Sequence, residues 1–183
     1  MRENMTALVT QRQEPLRRYY KNAPEETRIT DHAVVDSAGA DPFHGSVRIG
    51  DGQSASLDCA IHRAGGGDHD LPDRGDILCG ALAACLDSTL RMIAARMGVT
   101  LESLEVSVTA HADVRGCLMV DRAVPTGFQR IEVDVRSESA AGADSTQFKM
   151  LTSAAEQCCV VLQTLRGDVP ITTRFSETAA TTT

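Results

Sequence analysis

Six cysteines in a chain of 183 residues carry most of the nucleophilic chemistry available to it. Cys85 lies within the apolar run Ile77–Met97, and Cys158 and Cys159 form an adjacent pair further on. A thiol on each of two helices points to thiol redox chemistry. A thiolate is the nucleophile in such reactions, and a second thiol resolves the sulfenic acid left on the first. Ordinary packing explains the same residues, because free cysteine is among the most buried residue types. Cys59 and Cys117 in candidate strands, and Cys79 on another helical face from Cys85, read as packing residues. Cys158 falls on the apolar stripe Phe148, Leu151, Ala155, Cys158, Leu162 and Leu165. Cys159 is about 100° round from it and is therefore the more exposed thiol and the better candidate for work. A bridge between the two neighbours is disfavoured by disulfide geometry.

Other constellations are weaker. No Cys-x-x-Cys pair occurs, and His32, His44, His62, His69 and His111 are scattered without ligand spacing, so a structural zinc site has little support. Asp68, Asp70, Asp73 and Asp76 lack the order of a calcium loop and read as a solvated loop with a helix cap. Gly65-Gly66-Gly67 is not followed by the Lys-Ser/Thr of a phosphate loop.

The elements that position the thiols follow from periodicity. Asp76 opens the first long helix, where an acid suits the positive end of the helix dipole, and Gly98 closes it. This helix is apolar nearly all round, which calls for burial on several sides. At the standard rise, Cys85 lies about 13 Å from Asp76 along the axis, so the dipole helps it little and a positive side chain must come from elsewhere. Before this helix, residues 11–26 read as a short polar helix or arm ended by Pro24, and residues 27–35 have strand character. Residues 39–45 form a turn, and 46–49 pair with 55–62 in a hairpin around Gly50-Asp51-Gly52. After it, Leu104, Val106, Val108, Ala110 and Ala112 alternate as a half-buried strand, with 115–120 as a possible pairing strand and Ile131, Val133 and Val135 as another. A second helix is predicted over 145–165 and a last strand over 169–175. Strands with one polar face mean antiparallel sheets, so the class is α+β.

Bulk properties set the frame. The chain is long enough for one domain with a substantial core. Its net charge of -7 argues against nucleic acid or an anionic membrane as main partner. No run of uncharged apolar residues reaches membrane-span length, and the first residues lack a secretory apolar region, which makes a cytosolic protein with reduced thiols the expectation. Residues 1–26 are expected as an N-terminal polar arm, 27–175 as the domain, and 176–183 as a disordered tail.

The segment Gly80-Ala-Leu-Ala-Ala-Cys-Leu-Asp-Ser-Thr-Leu-Arg91 resembles the OsmC/Ohr family, the osmotically inducible and organic hydroperoxide resistance proteins. There, too, a reactive Cys follows a small-small pair, here Ala83-Ala84-Cys85. The family's second motif, Cys-Pro-Val-x-x-Thr-Leu, is similar to Cys159-Val-Val-Leu-Gln-Thr-Leu165. The segments Asp113–Gly116 and Val124–Phe128 resemble an OsmC-like branch, and the likeness covers about residues 27 to 175. The resemblance implies an intertwined homodimer in which antiparallel sheets wrap two central helices, with the sites at the dimer interface. It further implies that Cys85 attacks an organic hydroperoxide, that Cys159 closes a Cys85–Cys159 disulfide, that a dithiol such as a lipoyl protein reduces it, and that no metal or organic cofactor takes part, in a role in the oxidative stress response. Peroxidases of the family place a Glu about ten residues before the first Cys, where this chain has Gly75, with Asp76 the nearest acid. They also place an Arg in an upstream loop that corresponds here to Asp41–Gly45, where His44 is the cation candidate. Arg48, Arg63 and Arg74 lie close enough in sequence to substitute. With the Glu and Arg positions changed, the alternative is a non-enzymatic relative that binds a small hydrophobic ligand in the dimer crevice, with the thiols as spectators.

Overall fold

The computed structural model describes residues 5–35, 41–51, 55–139 and 145–167. Two antiparallel sheets and a cluster of helices make up these residues, an α+β architecture. The first sheet has strands β1 (Ala33–Val35), β2 (His44–Ile49) and β3 (Ala55–Ala60), in that order, with Val47 opposite both Val35 and Leu57. The expected hairpin is present, whereas only the last residues of the expected strand 27–35 pair.

Helix α1 (Met5–Asn22) precedes this sheet and starts earlier than the sequence reading placed it. Pro24 opens a separate 3-10 turn, Pro24–Thr27, as its fixed φ allows. None of the residues of α1 is buried, and Gln13 Nε2 donates to Met92 Sδ at 3.2 Å where the helix meets α2.

Helix α2 (Arg74–Met97) is the central element. Its N-cap is Asp73, not Asp76. The Asp73 carboxylate accepts from the N–H of Gly75 at 2.6 Å and of Asp76 at 3.0 Å, and the Asp76 carboxylate accepts from the Asp73 N–H at 2.8 Å. This reciprocal box satisfies amides that the first turn leaves without helical partners. At the other end Gly98 takes φ 69, the left-handed conformation that only glycine adopts freely. Length and composition alone would let α2 cross a membrane. Here Leu82, Leu86, Leu90 and Ala94 instead form one buried stripe at helical spacing, packed with Leu151, Ala155, Cys159 and Leu162.

The second sheet pairs β4 (Leu101–His111) with β5 (Arg130–Ser139), Val106 opposite Val135 and Val108 opposite Val133. One face of it packs on the helical cluster through Leu104, Val106, Val108, Ile131, Val133 and Val135. The connection between these strands corrects an expectation: residues 115–120 do not pair as a strand. Val114–Cys117 is instead a single helical turn, α3, capped by Asp113, and Cys117 is exposed on it rather than packed. Gly116 is needed there, because a Cβ would come within 2.7 Å of the Val124 and Pro125 carbonyl oxygens. Gln129 ties the segment down by donating to the carbonyls of Pro125 and Gly127 and accepting from the Asp113 N–H.

The predicted second long helix is two helices, α4 (Ser145–Cys158) and α5 (Val160–Arg166), with Cys159 extended between them at φ -75, ψ 108. The expected final strand 169–175 and the tail 176–183 lie outside the described residues.

Candidate active site

Packing of α2 against the α4–α5 junction brings Cys85 and Cys159 together, with their sulfur atoms 3.3 Å apart and the Cys159 thiol donating to Cys85. Cys159 is fully buried, Cys85 is half-buried, and Cys158 is exposed. The sequence reading had the adjacent pair the other way round, with Cys158 packed and Cys159 outward. The buried residues of this segment, Leu151, Ala155, Cys159 and Leu162, follow one another at helical spacing, so Cys159 and not Cys158 faces the core, in one cluster with Leu82 and Leu86.

The two thiols are held in different states. Burial pushes the Cys85 thiol up, but hydrogen bonds from the Val161 amide, the Cys159 thiol, the Val160 amide and the Thr89 hydroxyl outweigh it and hold Cys85 below the ordinary thiol range. Burial pushes Cys159 up, and its bond to Cys85 adds to the rise. Hydrogen bonds to an anion favour the anion, so the arrangement polarises the pair, with Cys85 pushed toward the thiolate and Cys159 toward the neutral thiol beside it. Val160 and Val161 have amides free to serve this role because they stand in the first turn of α5, where no carbonyl within the helix reaches them.

The junction is fastened from both sides. Gln163 Nε2 donates to the Glu156 carbonyl at 2.7 Å, and Arg166 pairs with the Glu156 carboxylate at 3.1 Å, so α5 is strapped to α4 across Cys159.

The other candidate residues lie elsewhere. Asp76 is engaged in the helix cap, and His44 sits between Asp41 at 2.7 Å and Asp70 at 3.2 Å. Neither enters the hydrogen-bond set of Cys85, and no cationic side chain among the described residues does. The bonds to Asp41 and Asp70 raise the His44 pKa and lower those of both aspartates. Arg48, Arg63 and Arg74 do not act on Cys85 either.

Sequence reasoning missed Thr89 and the two valine amides. Thr89, one turn after Cys85 on the same helix, was open to view as a position; the amides were not, because they depend on the helix break.

A cavity of about 430 Å³ lies beside the same cluster, lined by Leu82, Leu86, Phe128, Ile131, Val133 and Leu162 among others, with Arg130, Glu156 and Arg166 at its polar edge. Leu82, Leu86 and Leu162 line the cavity and also belong to the cluster that holds Cys159.

Among known proteins, the family model described as OsmC-like protein matches residues 67–174, a span that includes both thiols. Among solved structures, an OsmC-like protein from Mycoplasma pneumoniae superposes with a TM-score of 0.58 at 17% identity, covering 78% of this chain and 89% of its own. An organic hydroperoxide resistance protein OsmC from Legionella pneumophila gives 0.56 at 22% identity, covering 76% and 90%. An organic hydroperoxide resistance protein from Elizabethkingia anophelis gives 0.57 at 18%, covering 78% and 92%. At these identities the likeness speaks for the fold. No curated protein matches the chain.

Proposed function

This chain belongs to the OsmC-like protein family, and on that footing we propose that it is a thiol-dependent peroxidase acting on organic hydroperoxides. The observation that carries the reading is the polarised pair, a Cys85 sulfur held toward the thiolate 3.3 Å from a protonated Cys159. The Cys85 thiolate attacks one peroxide oxygen, the O–O bond breaks, and the alkoxide leaves and takes up a proton, giving an alcohol and a Cys85 sulfenic acid. The Cys159 sulfur then attacks the Cys85 sulfur, water leaves, and a Cys85–Cys159 disulfide remains. An external dithiol, of which a lipoyl protein is one example, returns both sulfurs to thiols and becomes a disulfide itself. The protein is placed by this reading in a reducing compartment such as the cytoplasm, where thiols persist.

We further propose that it works as a homodimer. Gly80, Ala81 and Ala84 leave one small-residue side of α2 exposed, and Val34, Val35, Phe43, Ile49 and Leu57 are exposed on or beside the first sheet. Apolar surface of this extent, on the central helix and on a whole sheet, is what an intertwined partner would cover.

The apolar cavity beside the cluster favours a second reading, a non-enzymatic protein that holds a small hydrophobic ligand. The lowered Cys85 pKa and the Cys159 thiol donating to its sulfur weigh against it, since a spectator thiol has no need to be held toward its thiolate. The experiment is to treat the reduced protein with cumene hydroperoxide and follow its thiols by mass. The peroxidase reading expects loss of two hydrogens, a Cys85–Cys159 cross-link in the digest, and no turnover by Cys85→Ser. If the cross-link never forms, or Cys85→Ser consumes peroxide as fast as the parent, the reading is wrong.

A further inference from the structure

Thr89 is the one buried polar side chain among the described residues, at 7% exposure, and it lies one turn beyond Cys85 on α2. Its hydroxyl donates to the Cys85 carbonyl at 2.7 Å, on the same face of α2 as the Cys85 side chain, and it is the last, in order of size, of the groups whose hydrogen bonding lowers the Cys85 pKa. Back-bonding of this kind is a resting position for a threonine inside a helix. The Cys85 carbonyl does not depend on it, because the α-helical ladder already supplies that oxygen with an N–H from the next turn. A hydroxyl carries a single proton and two lone pairs, so it serves the carbonyl or the sulfur as donor, never both at once.

That single proton has two acceptors whose strengths change with the state of Cys85. Beside a neutral thiol the carbonyl is the stronger acceptor, and the hydroxyl oxygen presents its lone pairs toward the sulfur. Beside a thiolate the sulfur is the stronger acceptor, since charge-assisted hydrogen bonds outweigh neutral ones. Rotation about one bond then moves the proton from carbonyl to sulfur, and the carbonyl keeps its helical partner. Ser88 provides the contrast: its hydroxyl makes the same kind of bond to the Ala84 carbonyl but has no part in the hydrogen-bond set of Cys85.

We propose that Thr89 is a thiolate-stabilising residue of the site, its hydroxyl switching from the Cys85 carbonyl to Cys85 Sγ when the thiol ionises. The proposal rests on Cys85 being the working thiol, and it supplies from within α2 part of the stabilisation that a neighbouring cation would otherwise give.

The test is the pH dependence of Cys85 alkylation by iodoacetamide in the reduced full-length protein, followed on the Cys85 peptide by mass, for the parent, Thr89→Val, Thr89→Ala, Thr89→Ser and Ser88→Ala. A hydrogen bond to a charged group is worth enough to lower the Cys85 thiolate fraction at neutral pH about tenfold in Thr89→Val and Thr89→Ala. Thr89→Ser keeps the hydroxyl and is expected to stay within about twofold of the parent by the same argument. Ser88→Ala is expected to titrate as the parent does. Thermal melts followed by circular dichroism identify any variant that has lost its fold, and the Val and Ala variants cover for one another. The proposal is overturned if a folded Thr89→Val or Thr89→Ala titrates like the parent, or if Thr89→Ser is as impaired as Thr89→Val. A Thr89-dependent titration in a protein that consumes no cumene hydroperoxide overturns the peroxidase reading and leaves the Thr89 assignment standing.

Discussion

Among the described residues, Cys85 is a thiol in mid-helix held low by neutral groups. The stabilisation comes from short dipoles: two backbone amides, a hydroxyl and a thiol. The sign can be read directly. The folded pKa is lowered, so the thiolate population, and with it any reaction of Cys85, rises at a lower pH than for an ordinary thiol and falls away as pH drops through the folded value. Cys159 moves oppositely. Selective alkylation is therefore expected to label Cys85 ahead of buried Cys159 as pH is raised, and the order of modification by peptide mass checks it. His44 gives a second prediction at this scale. Its pKa is raised first by Asp41 and then by Asp70, so its bonds to them are fully present below the ordinary imidazole range and are lost as pH rises through the raised folded value. The aspartates, held low, contribute above the usual carboxylate range and lose their contribution as pH falls through their folded values. An NMR titration is expected to place the His44 midpoint above the ordinary histidine value, and Asp41→Asn to bring it back down.

The elements explain what could and could not be read in advance. The stripe of leucines on α2, the alternation in β4 and β5, and the glycine that stops α2 are local patterns, and periodicity displays them. The break at Cys159 is different. The stretch around Cys158-Cys159-Val160-Val161 contains no glycine or proline, and the apolar stripe runs straight across it. The clue lay in comparison: Val160 holds the place of the family motif's proline, and proline is favoured at the first residue of a helix. That position is the first of α5. Once the break is granted, the free amides that face Cys85 follow, whereas the inversion of the two neighbouring cysteines comes from the buried stripe running through Leu151, Ala155, Cys159 and Leu162 and leaving Phe148 and Leu165 exposed. The N-cap of α2 was misplaced for a related reason: Asp73 and Asp76 are both acids at a helix start, and their reciprocal bonds decide which is which. Asp73→Ala is expected to lower stability by about 1 kcal/mol, measured by urea unfolding. Gly116→Ala, which drives a Cβ against the carbonyls of Val124 and Pro125, is expected to cost roughly 1–3 kcal/mol by the same measurement.

At the scale of the whole molecule, the arrangement is lopsided. The second sheet is packed on α2, α4 and α5, whereas much of the first sheet and one side of α2 are open. On the dimer proposal, sedimentation equilibrium is expected to give twice the chain mass, and Val35→Asp or Leu57→Asp to shift the population toward single chains; a parent that sediments as one chain would sink it. The positions of Cys85 and Cys159 in the chain have a further consequence. They lie 74 residues apart in sequence and 3.3 Å apart in space. A bond between them would close most of the second half of the domain into a covalent ring, restricting the unfolded chain far more than the folded one. By the chain-entropy estimate such a ring adds roughly 4 kcal/mol of stability. The redox history of the protein would then be written in its melting temperature: reduced, it melts low; oxidised by peroxide, it melts high; and a dithiol returns it to the lower value. A calorimeter could follow the cycle without detecting substrate or product.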